Sequence, residues 1–198
     1  MKFLNKLKWV LGILMVFMLI ITTNLIDRNN FLRVRDSVVT IYEDRLVAKD
    51  LIFEISKAIQ DKEIAALTID STFYKERNAA LNANIKDHIT QYELTTLTKE
   101  ERRVFDDFTK NLAALQNAET GFMQSDFGTK DKVVTQISRV KDNLAALSKI
   151  QLNEGRRQMS ISKKAVDAVE LFTQIEIYLL IFLAVVIQII VIYNPKEK

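Results

Sequence analysis

No cysteine occurs in this chain of 198 residues, which has a single proline (Pro195), a single histidine (His88) and four glycines. Without a thiol there is no disulfide framework and no thiolate-ligated zinc. All-β and doubly wound folds need turn residues every ~8–12 positions, and these are missing too. A chain nearly free of helix breakers up to Pro195 reads as a small number of long helices, an all-α fold. The parts of a catalytic centre are equally scarce. There is no Gly-rich phosphate loop, and the paired acids Glu100-Glu101 and Asp106-Asp107 lack a histidine partner. They read as solvated helix faces. The expectation is a protein that is not an enzyme and uses no cofactor and no metal.

What the chain has in excess is apolar length. Trp9 to Ile26 and Ile177 to Tyr193 carry no charge. Runs of 17–18 helical residues span about 25–27 Å, close to the hydrocarbon thickness of a bilayer. The first run follows Lys2, Lys6 and Lys8 as a signal peptide would. However, it exceeds the usual h-region and is followed by no small-x-small cleavage site, so an uncleaved anchor is expected. Lys196 and Lys198 flank the second run, so the positive-inside rule puts both termini in the cytoplasm and residues 27–170 outside. That outer segment holds 23 basic and 23 acidic residues. The basic surplus therefore belongs to the membrane flanks, and no patch is left for nucleic acid. Trp9, Tyr178 and Tyr193 fall where interfacial aromatics anchor a span. The expected layout is a cytoplasmic segment 1–8, spans at 9–26 and 173–193, an outer bundle at 27–172 and a tail at 194–198, in the inner membrane of a cell.

The outer segment divides into four helical stretches. In the first, to about Thr68, three heptad-spaced sets form a broad stripe: Val38, Ile52 and Ile59; Val39, Leu46 and Phe53; Ile41, Ala48 and Ile55. A break at Ile69-Asp70-Ser71 precedes a second stretch over about 72–94, with Tyr74, Leu81, Ile85, His88 and Tyr92 on its seam. Thr98 and Glu101 have capping-box spacing for the third, which carries Phe105, Phe108, Leu112 and Leu115 to about Thr120. Gly121 and Gly128 mark a loop. The fourth begins near Thr129 with a clear heptad: Val133, Ile137, Val140, Leu144 and Leu147. Gln151, Glu154 and Gln158 interrupt it before Ile161, Ala165, Ala168 and Phe172 resume towards the membrane. Four such stripes predict an antiparallel four-helix bundle. The first and fourth helices, about 42 residues or ~62 Å, outrun the middle pair at ~35 Å. The exposed two-helix stalk, 27–42 and 158–172, then invites a second copy, a homodimer.

Arg45 stands in the apolar stripe of the first helix, and Glu154 in the seam of the fourth. Each is 18 residues from its membrane end, counted from Asp27 and Phe172, which places both at ~27 Å height. The pattern predicts a partly buried ion pair with Gln151 and Gln158 around it. The alternative is a pocket in which the Arg45 fork holds a small acidic ligand. His88, between Ile85 and Tyr92, is expected as a hydrogen-bonded core histidine. Gln188, alone inside the second apolar run, is expected to contact another helix within the bilayer.

With these residues in place the chain resembles the four-helix-bundle sensor domain of methyl-accepting chemotaxis receptors. Tyr42-Glu43-Asp44-Arg45-Leu46 with Leu51 and Ile55, and Leu144, Leu147, Ile150 and Gln151 leading unbroken into the membrane, carry the resemblance. It implies a dimeric extracytoplasmic sensor that passes small helix movements across the bilayer. The sequence ends five residues after Tyr193, so the resemblance further implies delivery of the signal through a partner membrane protein. The competing expectations are a structural accessory subunit of a larger membrane complex, and a secreted helical protein that loses its first run.

Overall fold

A computed structural model describes residues 2–128 and 130–192, with side chains described from residue 11 to 186 and at 188, apart from 129. Thr129, Tyr193, the 194–198 tail with its two lysines and the side chain of Trp9 lie outside the described residues. Among the described residues there is no strand. The elements are α1 (Lys2–Thr40), α2 (Val47–Thr68), α3 (Asn78–Glu93), α4 (Lys99–Gln124) and α5 (Asp131–Ile192). The wider winding of a π-helix joins α1 to α2 over Ile41–Leu46 and leads into α3 over Phe73–Arg77. Two of these helices carry stretches long and apolar enough to cross a membrane.

The helix boundaries follow local chemistry. α2 stops where Ile69 enters the left-handed region at φ 57°, with its amide and that of Asp70 both returning to the Ala65 carbonyl. A β-branched residue there is strained, since its Cβ crowds the backbone. The Asp70 carboxylate then accepts the Phe73 amide at 3.0 Å and starts the next helix. The expected capping box opens α4: Thr98 Oγ1 accepts the Glu101 amide, and the Glu101 carboxylate accepts the Thr98 amide, both at 3.2 Å. The end of α4 differs from expectation. Gly121 lies inside the helix, which runs to Gln124, and the turn is made by 125–128 with Asp126 and Phe127 at positive φ. Phe122 packs edge-on against Phe127 at 5.2 Å, and that packing outweighs the flexibility of one glycine.

The chain forms two compact units, 39–158 and 1–38 with 159–198. In the first of these, the core takes Ile52, Ile55 and Ile59 from α2, Ile85 and Tyr92 from α3, Phe105, Phe108, Leu112 and Leu115 from α4, and the whole Val133–Leu147 heptad from α5. Of the three stripes on the first helix, Ile52 and Ile59 of one and Ala48 and Ile55 of another are thereby used, whereas Val38 is exposed. The third is not: Val39, Leu46 and Phe53 remain 44%, 56% and 60% exposed. In the other unit many of the described large apolar side chains of both runs, Ile13, Phe17, Ile181 and Phe182 among them, are exposed, while Asn30, Ser37, Ser162 and Ala165 are buried. Ser162 takes the inward place that the heptad reading gave to Ile161, which is exposed.

Candidate functional site: two charged layers inside the core

Arg45 sits in the π-helical turn before α2 and is 6% exposed. Its Nη1 donates to Glu101 Oε2 at 3.0 Å and to Gln151 Oε1 at 3.2 Å, and its Nη2 donates to the Thr96 carbonyl at 3.2 Å. Tyr92 donates its hydroxyl to Glu101 Oε1 at 2.6 Å, and Gln151 Nε2 donates to the same oxygen and to the Tyr92 hydroxyl. One carboxylate thus ties together the four helical stretches of this unit. Asp44, beside Arg45, accepts the Thr96 amide at 2.9 Å and fixes the α3–α4 turn onto the first helix.

This geometry corrects the expected pair. The carboxylate facing Arg45 is Glu101, not Glu154, which instead pairs with Arg157 one turn away at 2.7 Å on the solvent side of α5. Height reckoned along two helices put Glu154 level with Arg45, whereas the α5 residue bonded to Arg45 is Gln151, almost one turn along, and the carboxylate comes from α4, which that reckoning leaves out. Of its two expected solvating glutamines, Gln151 is in the network and Gln158 is only half-buried outside it. The reading of Glu101 as part of a solvated acidic face is also corrected. It is completely buried, whereas Glu100, Asp106 and Asp107 are exposed as expected. His88 is half-buried with no hydrogen-bond partner for Nδ1 among the described residues, so the expected hydrogen-bonded core histidine is not found. Gln188 is exposed on α5.

A second layer lies beyond the residues that the sequence pattern singles out. Lys62 of α2 is fully buried, and its Nζ donates to both carboxylate oxygens of Glu119 at 2.8 Å and to Asn78 Oδ1. Asn78 Nδ2 returns a bond to Glu119 Oε2 at 3.3 Å. The signal was present in the sequence. The set Ile41, Ala48, Ile55 continues by seven to Lys62, and the α4 seam continues by four from Leu115 to Glu119 and by four backwards from Phe105 to Glu101. Charged residues on an otherwise apolar seam point to one another.

The two layers fix the directions of the helices. Residues 45 and 62 meet 101 and 119 in ascending order, and 92 and 78 in descending order, while Gln151 bonds to Arg45 and Lys141 to Glu63. Consecutive helical stretches of this unit therefore alternate in direction. The layers lie 17 residues apart on the first helix, about 25 Å, with aliphatic and phenylalanine side chains between them.

Electrostatics follow burial. Desolvation pushes Lys62 below its ordinary value, against the opposing pull of the Glu119 charge and hydrogen bond. Burial raises Tyr92, with the bond to Glu101 and its charge adding to the rise. Tyr74 is raised by burial and then by the Glu119 charge, and its hydroxyl has no partner among the described residues. Chemically, neither layer offers a free nucleophile or base to a substrate, because the charges are paired and closed in. No cluster of metal-ligating side chains occurs among the described residues.

A family model described as a four helix bundle sensory module for signal transduction matches residues 1–166. No curated protein and no solved structure matches the chain.

Proposed function

Since the chain belongs to the family of four-helix-bundle sensory modules for signal transduction, we infer that it is a membrane-anchored, non-enzymatic sensor whose segment 27–170 lies outside the cytoplasm as an antiparallel bundle. The family match over residues 1–166 is the observation that carries this reading. Three features support it. α5 is one helix from Asp131 to Ile192, bearing both a core seam and the second apolar run, so a shift of the core is a shift of the helix that enters the bilayer. The charged layers give each helix a defined register, since sliding by one turn would strip Glu101 and Glu119 of their partners. The exposed stripe Val39, Leu46, Phe53 is a face for a second copy, in line with a homodimer. Arg45 serves this design as a register pin, since both its Nη atoms are bound within the core. Gln188, directed outward from its own chain, is available to another helix in the bilayer.

The test joins topology and ligand response in the full chain. A cysteine at Ser125 should react with an impermeant reagent added to intact cells, and one at Lys6 only after lysis. A thermal-shift screen of the detergent-solubilised protein should find a small molecule that raises its unfolding temperature, the mark of binding to the folded state. Labelling at Lys6 and not at Ser125 overturns the placement. Failure of every ligand, with a membrane protein co-purifying in fixed stoichiometry, turns the reading to a structural accessory subunit.

A further inference from the structure

Within the unit formed by residues 1–38 and 159–198, α1 and α5 enclose a groove of about 580 Å³. Its walls are mainly apolar, with Phe31, Val34, Val166 and Val169, and Asn24, Asp27 and Arg28 also line it. The last three stand at i, i+3 and i+4, hence on one helical face. Their hydrogen bonding is incomplete in a specific way. Asp27 Oδ1 is shut off from solvent with no partner. Asn24 spends its amide nitrogen on the Ile20 carbonyl at 2.9 Å, which leaves its oxygen as an acceptor. Asp27 and Arg28 adjoin in sequence but pair neither with each other nor with another charged group among the described residues. An unsatisfied buried carboxylate oxygen costs free energy unless a donor reaches it.

The place of this unsatisfied acid and base is chemically telling. They are the first charged residues after an uncharged run of 18, and the side chains just before them, Ile21 and Leu25, face outward. We propose that this groove binds the headgroup of a phospholipid with a primary ammonium, of the phosphatidylethanolamine type. The Asp27 carboxylate turns about its terminal torsion to bring its unpaired oxygen into the groove and accept from the ammonium. The Asn24 oxygen accepts a second N–H, the phosphate sits on the Arg28 guanidinium, and the acyl chains lie along Leu25 and Ile21. Three N–H donors on the ammonium match the free acceptors, and a guanidinium suits a phosphate. A choline headgroup carries no N–H and cannot satisfy Asp27. A glycerol headgroup brings no cation to it.

The proposal rests on the membrane reading of the apolar runs, and the experiment separates the two. The full chain, expressed in cells, is first tested for resistance to carbonate extraction. It is then purified in mild detergent and titrated with phosphatidylethanolamine, phosphatidylcholine and phosphatidylglycerol of matched chains, with binding read by native mass spectrometry. The expected result is carbonate resistance and a preference for phosphatidylethanolamine of about five- to ten-fold, the scale of one charge-assisted hydrogen bond. Asp27→Asn should abolish the preference, and the exposed Arg28→Gln should weaken all three lipids without removing it. Extraction by carbonate overturns the membrane reading itself. Carbonate resistance with equal binding of the three lipids, or a preference unchanged in Asp27→Asn, overturns the lipid site alone. So does disulfide cross-linking of Val34→Cys between two copies that phosphatidylethanolamine fails to compete, since the groove would then be filled by a second chain.

Discussion

The two units of this chain bury opposite kinds of side chain. Residues 39–158 enclose isoleucine, leucine and phenylalanine and turn most of their charge outward. In residues 1–38 and 159–198 it is asparagine, serine and alanine that are enclosed, while Ile13, Phe17, Ile181 and Phe182 are all more than half exposed. Water drives apolar surface inward, whereas lipid does not. On the membrane reading proposed above the helices meet two solvents: the apolar runs turn most of their side chains to lipid, while the enclosed Asn30, Ser37, Ser162 and Ala165 belong to the stalk segments 27–38 and 159–172. The Arg45 and Lys62 layers are exceptions inside the water-facing unit, and they are where the comparison is easiest to break.

The largest effect is expected at Lys62. Lys62→Met leaves Glu119 buried without a cation and should cost about 3–5 kcal/mol of folding stability, whereas adding Glu119→Leu should restore much of it. Unfolding of the detergent-solubilised chain, followed by circular dichroism in denaturant, measures both. If the two losses simply add, the pair is not coupled.

Somewhat less is expected at Arg45, whose Nε already lacks a partner and whose side chain is 7% exposed. Arg45→Met should cost about 3 kcal/mol, with a coupling energy of at least ~1 kcal/mol to Glu101→Leu and none to Glu154→Leu. Coupling to Glu154 instead would restore the pairing read from helix height. That contrast shows what the sequence made legible. Heptads gave the α5 core from Val133 to Leu147, the α2–α3 break at Ile69 and the Thr98 cap, because spacing and capping are local properties. Partner choice was not legible, because which inward residues meet depends on the azimuth of four helices at once. Glu101 was hidden further by its second role: a capping glutamate at a helix start gives every reason to look solvated. Lys62 and Glu119 were readable as charges on extended seams, and only continuing each seam past its last apolar residue would have found them.

A subtler effect concerns alkaline pH. Tyr92 is held above its ordinary value of 10.0 by burial and by Glu101. The folded chain therefore keeps a proton that the unfolded chain sheds, and the stability from this group is full below pH 10 and falls as pH rises further. Tyr92→Phe should flatten that fall, measured as unfolding midpoints across pH 9–11 relative to the parent chain. An unchanged slope would remove Tyr92 from the account. Smallest of all should be Lys141→Ala, which breaks an ion pair to Glu63 whose lysine is half exposed and should change stability by no more than about 1 kcal/mol. A loss as large as that at Lys62 would mean that burial is not what sets these energies.

The two-solvent claim is tested most directly with isoleucines of similar exposure. Ile13, Ile64 and Ile181 are 67%, 53% and 58% exposed within the chain. Each is replaced singly by cysteine in a protein that has none of its own, and isolated membranes are treated with a water-soluble, impermeant maleimide. The account predicts rapid labelling of Ile64→Cys, and protection of Ile13→Cys and Ile181→Cys until detergent or denaturant is added. Equal labelling of all three in intact membranes would contradict it.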